Sequence, residues 1–289
     1  MLVLFTDTDT DLTPQEAKEY GYHLISMPYV IDEKEIFPYE DFEEFKAHEF
    51  YEMLRSGVMP KTCAVSPSKY VEYFEPIFAR GDDILYVHFS AAMSGTFNAM
   101  HLALEELNEK YPERKFYTID TKGITICSLN IVKEIGDMYK QGKSIEELLA
   151  WAEVEVDKFA TYFYVDDLKF FQRSGRISGF SAEMGTLLGV HPIIFMDSDG
   201  QMKNIAKARG RNTTLKKIMS YIEDFGDNIN DYRIIIGHTD VIDIALLMKK
   251  MIEEKFGQDL KIELVVVNPT AGSHCGPAGV GVCFHAKHR

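Results

Sequence analysis

"DDILYVHFSAAMSGTFNAMHLALEELNEKYP", residues 82–112, decides the fold class. It opens with an apolar run that stops at Ser90, and a short apolar run bounded by polar residues reads as a buried strand. From Ser94 the pattern changes. "SGTFNAMHLALEELNEKYP" spaces its apolar residues at helical intervals and is closed by Pro112. A strand delivered into a helix is the repeating unit of a parallel sheet with helical cover on both faces.

The unit recurs through the first half. "MLVLFT" reads as a buried strand and "LTPQEAKEYG" as a helix with Thr13 at the N-cap, Pro14 at N1 and Gly21 as the stop. "HLISMPYVI" reads as a second strand. "YEDFEEFKAHEFYEMLRSG" reads as a helix with Phe42, Phe45, Phe50, Met53 and Leu54 largely on one face. "KFYTID" adds a strand, and "TICSLNIVKEIGDMYKQG" and "SIEELLAWAEVEVDKF" add helices. The second half is organised differently. "ATYFYVDDL" is a strand, "HPIIFMDSDGQMKNIAKAR" a hairpin turning at "DSDG", and "TTLKKIMSYIEDFG" a helix. "YRIIIGHT", "KIELVVVNP" and "GVGVCFH" complete the strands, with "IDIALLMKKMIEEKFG" as a helix among them. The expectation is two domains: a mainly parallel α/β unit over residues 1–158 and an α+β unit with a mixed sheet over 159–289.

The composition excludes several function classes. The 289 residues suffice for a substantial core, and 46% hydrophobic with 26% charged residues describes an ordered globular chain. A formal net charge of −14 gives no global attraction to nucleic acid or to an anionic membrane. The first residues lack a basic n-region, and no apolar stretch approaches the roughly 20 residues needed to span a bilayer. A cytoplasmic protein is expected. Cys63, Cys127, Cys275 and Cys283 form no C-x-x-C pair and match no zinc spacing, so they read as free thiols in a reducing compartment.

Five stretches carry candidate chemistry. "LFTDTDTDLT", residues 4–13, places Asp7, Asp9 and Asp11 at the end of the first strand. D-x-D-x-T after a strand fits a Mg²⁺-dependent phosphatase of the haloacid-dehalogenase type, with Asp7 as nucleophile and Asp9 as acid/base. Ser90 and Asp166–Asp167, also at strand ends, extend that reading. The alternatives are a ligand-pocket role, or aspartates that only shape the turn. "HFSAAMSGTFNAM", residues 88–100, offers the Ser94 and Thr96 hydroxyls and the exposed backbone of Gly95 to an anion at a helix start, and without a lysine it is not a Walker A loop. "KTCAVSPSKYVEYF", residues 61–74, repeats this with Thr62 and Ser66 ahead of a helix beginning near Pro67. "LKFFQRSGRISG", residues 168–179, places Arg173 and Arg176 around Gly175 in a loop suited to phosphate or a partner protein, and Lys207, Arg209 and Arg211 extend the positive charge. "GSHCGPAGVGVCFH", residues 272–285, brings His274 into a glycine-rich loop. Each also has a plain structural reading as a capped helix start, a solvated turn or a structural histidine.

Taken in order, these motifs resemble the DegV family of bacterial fatty-acid-binding proteins along nearly the whole chain. "TDTDTDL" is similar to the family's T-D-S-x-x-D-L, with Asp7 and Asp11 on the motif and Asp9 at a variable position. "TCAVSP", "FSAAMSGTF", "LKFFQRSGRIS", "HPIIFMDSDG", "ARGR" and "SHCGPAGVGVCF" follow in the family's order. The resemblance implies two α/β domains with a fatty acid in the crevice between them. It implies that Thr62 and Ser94, with Gly95 and Ser66 beside them, bind the carboxylate. It further implies a non-enzymatic role, with no cofactor and no metal, as the lipid-presenting subunit of a fatty-acid kinase whose separate ATP-dependent protein makes the acyl phosphate. Arg176, Arg173 and His274 are implied to stabilise the phosphate or dock that kinase, and the aspartates to organise loops around the lipid head.

Overall fold

A computed structural model describes residues 1–178 and 189–289. Gly179, the last residue of the "LKFFQRSGRISG" stretch, lies outside the described residues. In chain order the elements are β1 (Leu2–Asp7), α1 (Pro14–Tyr20), β2 (Tyr22–Ile25), β3 (Tyr29–Ile31), β4 (Lys34–Ile36), α2 (Ala47–Arg55), β5 (Lys61–Thr62), α3 (Pro67–Ala79), β6 (Asp83–His88), α4 (Thr96–Lys110), β7 (Phe116–Asp120), α5 (Ile126–Lys140) and α6 (Ile145–Glu155). The second half continues with β8 (Phe159–Tyr164), α7 (Lys169–Ser174), β9 (Ile177–Ser178), β10 (Val190–Met196), β11 (Met202–Arg209), α8 (Arg211–Phe225), β12 (Ile234–His238), α9 (Ile242–Phe256), β13 (Ile262–Val266), α10 (Pro269–Cys275) and β14 (Val280–His285).

The first half forms a four-stranded sheet of order β2-β1-β6-β7, parallel throughout. The second half forms a mixed sheet of order β13-β12-β14-β8-β10-β11-β9. A small antiparallel sheet of order β4-β3-β5 sits apart from both. The fold is therefore α/β in its first half and mixed in its second. Helix α1 shows how local sequence sets an element: the Thr13 and Glu16 side chains form a capping box, Pro14 occupies the first turn, and Gly21 ends the helix with φ of 81°.

Helix α5 joins the two large sheets. Ten of its 15 residues are buried, so it has cover on nearly all sides. Leu129, Ile131 and Val132 share one apolar cluster with Leu4, Leu85 and Ile119 of the parallel sheet and with Phe159, Ile235 and Cys283 of the mixed one. Its buried Lys133 ammonium bonds Glu16 at 2.7 Å and Glu263 at 2.5 Å, tying α1 to β13. A second cluster packs α3 and α4 on the other face of the parallel sheet and runs on to Val165, Leu168, Phe171 and Met196. The hairpin turn between β10 and β11 docks on the end of β6, where the Ser90 hydroxyl donates to the Gly200 carbonyl at 2.8 Å. Gly200 has φ of +72°, and a Cβ there would stand 2.2 Å from that hydroxyl oxygen, so the close approach requires glycine.

Four sequence expectations are corrected. "HLISMPYVI" is two strands in different sheets, β2 and β3. At the break the Met27 N–H leaves the ladder and donates to Thr8 Oγ1 at 2.9 Å, and Pro28 has no N–H to donate. The helix expected over 39–57 forms only as α2. Ahead of it, Tyr39 has φ of 63° and the Asp41 carboxylate accepts from the Phe37 N–H at 2.7 Å, a local bond that competes with helix. Phe42 and Phe45 still pack on Phe50 and Tyr51. Arg173 lies on α7 rather than in a loop, and His274 lies in the last turn of α10 rather than in a glycine-rich loop.

Candidate functional site

The carboxyl ends of β1, β6 and β7 face the mixed sheet, the position where α/β proteins bind ligands. Between them lies a partly enclosed cavity. Its wall is mainly apolar: Met27, Phe89 and Ile126 come from the first half, and Phe163, Val165, Phe171, Met196 and Met202 from the second. Polar side chains enter this wall at a few points, among them Asp9, Thr62, Ser94, Arg176 and His274.

Thr62 is placed by β5, which pairs with β3 through Tyr29. The Arg173 guanidinium donates to the Met59 and Pro60 carbonyls and so anchors the approach to β5 from α7. His274 is placed by α10. Asn268 caps that helix by accepting from the Ala271 N–H at 2.9 Å, and Pro269 fills the first turn. Asn268 is itself held by Asp11, whose Oδ1 accepts from its backbone N–H at 2.8 Å and from its side-chain amide at 2.7 Å. The helix ends at Gly276, with φ of 70° and ψ of 178°, against the ring of Phe170. The result is a 3.0 Å contact between His274 Nε2 and Thr62 Oγ1. Burial, with the nearby Arg176 and Arg173 charges, lowers the His274 imidazolium pKa to about 4, so the ring is neutral at physiological pH.

Ser94 lies between Met93 and α4, and its hydroxyl oxygen accepts from the Thr96 N–H at 3.2 Å. Thus Thr62, Ser94, Arg176 and His274 share one cavity. Gly95, Ser66 and Arg173 are not on its wall. Gly95 is the exposed N-cap of α4, and the Ser66 hydroxyl caps α3 by accepting from the Lys69 N–H at 3.2 Å. Asp9 on the wall fits the ligand-pocket alternative for the aspartates, whereas α10 was missed in the sequence. The Asn268-Pro269 pair, a cap followed by a first-turn proline, was the available signal for that helix.

The arrangement of the aspartates gives no support to a phosphoryl-transfer centre. Asp7 is fully buried, and both its oxygens are engaged: Oδ1 accepts from the Asp9 N–H at 3.0 Å, and Oδ2 from the Tyr86 hydroxyl at 2.9 Å and the Phe89 N–H at 3.2 Å. Burial outweighs these bonds and pushes its pKa up to about 7. Asp11 is turned to Asn268. The three side chains do not bring three carboxylate oxygens within 4.8 Å of one another. The other pieces of the phosphatase reading are likewise committed: Ser90 to Gly200, Asp166 to Arg211 at 2.6 Å and His191 at 3.2 Å, and Asp167 to Lys169 at 2.8 Å. Among the described residues one group, His48, Glu52 and Asp240, gathers three metal-capable atoms, but it lies outside the cavity wall and Arg55 already binds both carboxylates. All four cysteines are free. Among the described residues no helix is long and apolar enough to cross a membrane.

The α/β fold thus places a largely apolar cavity, with a few polar groups on its wall, at the carboxyl ends of the parallel strands. The chain matches the DegV family model over residues 1–287, and it belongs to that family. It is 36% identical to the DegV domain-containing protein CPE0026 of Clostridium perfringens, over 98% of this chain and 96% of that one. A second C. perfringens relative, CPE2509, is 30% identical over 99% of both. Among solved structures, a stearic-acid-binding protein from Eubacterium ventriosum superposes with a TM-score of 0.87 at 21% identity, over 99% of both chains. DegV of Bacillus subtilis, described as a fatty acid binding protein, superposes with a TM-score of 0.81 at 22% identity, also over 99% of both. These structural likenesses establish the fold.

Proposed function

We propose that this chain binds a long-chain fatty acid in the cavity, holds its carboxylate on the Thr62 and Ser94 hydroxyls, and presents it to a separate ATP-dependent kinase that forms the acyl phosphate. The observation that carries this reading is the placement of Thr62, Ser94, Arg176 and His274 on the wall of one largely apolar cavity. The fatty acids bound by structurally similar family members support it. The chain acts as two units, residues 1–158 and 159–289, with the ligand between them, and performs no chemistry of its own.

The energetics divide the work. Burying about 14 methylenes is worth on the order of 11 kcal/mol before ordering costs, so the tail supplies affinity. The head needs orientation. A neutral His274 that donates from Nε2 to Thr62 Oγ1 leaves the threonine proton free for the carboxylate. Uncharged donors leave the carboxylate a better nucleophile than a tight guanidinium pair would. Gly95 and Ser66 begin the helices that carry these loops and act by positioning. Arg176 and Arg173 are assigned to the developing phosphate or to kinase docking.

A Thr62→Ala/Ser94→Ala double variant tests the head assignment. Two hydrogen bonds to a charged group are worth about 3 kcal/mol together, so fatty-acid affinity should fall about a hundredfold while the fold is kept. Affinity equal to the parent's would overturn the assignment.

A further inference from the structure

We infer that the cavity is built for an acyl chain carrying an oxygen substituent, such as a hydroxyl, and that the Asp9 carboxyl is the group that recognises it. This deepens the fatty-acid reading and rests on it. Asp9 lines the cavity and is 6% exposed, yet its Oδ1 is buried with no hydrogen-bond partner. Its backbone is fixed on both sides, with its N–H on Asp7 Oδ1 at 3.0 Å and its carbonyl accepting from the Thr125 N–H at 2.8 Å. Neither Asp7 nor Asp11 makes a hydrogen bond to its Oδ1. Buried polar atoms are nearly always hydrogen-bonded, so an orphan on a residue that lines a ligand cavity points to a group on the ligand.

The other unpaired atoms on the wall have plainer accounts. The Thr161 hydroxyl stands beside the Cys127 and Cys283 thiols. The Tyr164 ring lies against His191, in the core on the far side of the mixed sheet. Among the residues of the cavity wall, Asp9 is the one carboxyl, and it carries an unpaired buried oxygen. Burial first, then the Asp7 and Asp11 charges, hold its proton on well above the ordinary carboxylate range. A neutral carboxyl donates one bond and accepts others. A chain hydroxyl satisfies it in either protonation state, whereas a methylene satisfies it in neither. Sites that pair a buried polar group with a ligand hydroxyl discriminate strongly against the analogue that lacks it.

The test is competitive displacement on the delipidated full-length protein. The ligands are octadecanoic acid, a cis-octadecenoic acid and the positional series of hydroxyoctadecanoic acids, run on the parent, Asp9→Asn and Asp9→Leu. One hydroxy isomer should bind the parent at least about tenfold more tightly than octadecanoic acid. Asp9→Leu should erase that preference and keep octadecanoic acid binding, and Asp9→Asn should retain most of it. Three results overturn the inference: octadecanoic acid bound with no hydroxy isomer preferred, a preference that survives in Asp9→Leu, or an Asp9-dependent preference for the alkenoic acid alone. Each leaves the fatty-acid reading standing, whereas a parent that binds none of these acids removes both. If Asp9→Leu fails to fold, Asp9→Ala takes its place, with the same expected and contradicting results.

Discussion

Replacing Asp7 with alanine is expected to destabilise the protein by about 3 kcal/mol, more than a hundredfold in the folding equilibrium. The substitution strips the acceptor from three buried donors: the Tyr86 hydroxyl and the N–H groups of Phe89 and Asp9. Each unpaired donor costs about 1–3 kcal/mol, and relief of the carboxyl's own desolvation offsets part of the sum. Asp7→Asn should also destabilise. Whichever way its amide is turned, one of the two backbone N–H groups meets another donor. Denaturant unfolding checks both. Variants as stable as the parent would remove Asp7 as the organiser of these strand ends.

Gly276→Ala should cost about 3–5 kcal/mol. Its φ of 70° and ψ of 178° lie in a region open almost only to glycine. A Cβ there would come within 2.3 Å of the buried Phe170 ring, whose residue is 1% exposed and has no room to retreat. The two penalties are independent and add. Relief of the clash would shift α10 and move His274 away from Thr62, so ligand affinity should fall together with the melting temperature. A Gly276→Ala protein with unchanged melting temperature and affinity would show that α10 does not depend on this contact.

Much of the fold was legible because its signals are local. The apolar run Ile84 to Val87, the Thr13 cap with Pro14 and Gly21, and the "DSDG" turn each determine their own element within a few residues. The misreadings also have local causes. Phe42 and Phe45 have helical spacing with Phe50, but Tyr39 and Asp41 commit the preceding chain to a turn, and the rings reach the same cluster without a helix. Helix α10 is built mostly of poor helix formers, so its periodicity is weak and only its cap announces it. The site is a different matter. Thr62 and His274 are 212 positions apart and meet because β5 and α10 are packed together by Arg173, Asp11 and Phe170. Asp9 fitted the acid/base position of a D-x-D-x-T motif beside Asp7, and the close spacing of Asp7, Asp9 and Asp11 hid the fact that they turn to different neighbours. Which aspartate faces the cavity depends on the short helical turn over Thr8–Thr10, whose φ and ψ no residue pattern announces.

The central claim is that this chain carries a fatty acid, and lipid mass spectrometry of the gently purified, full-length protein tests it most directly. The expected result is a long-chain carboxylic acid released on denaturation in near one-to-one ratio with the chain. Absence of any acyl chain, together with no uptake when long-chain acids are added, would contradict the account.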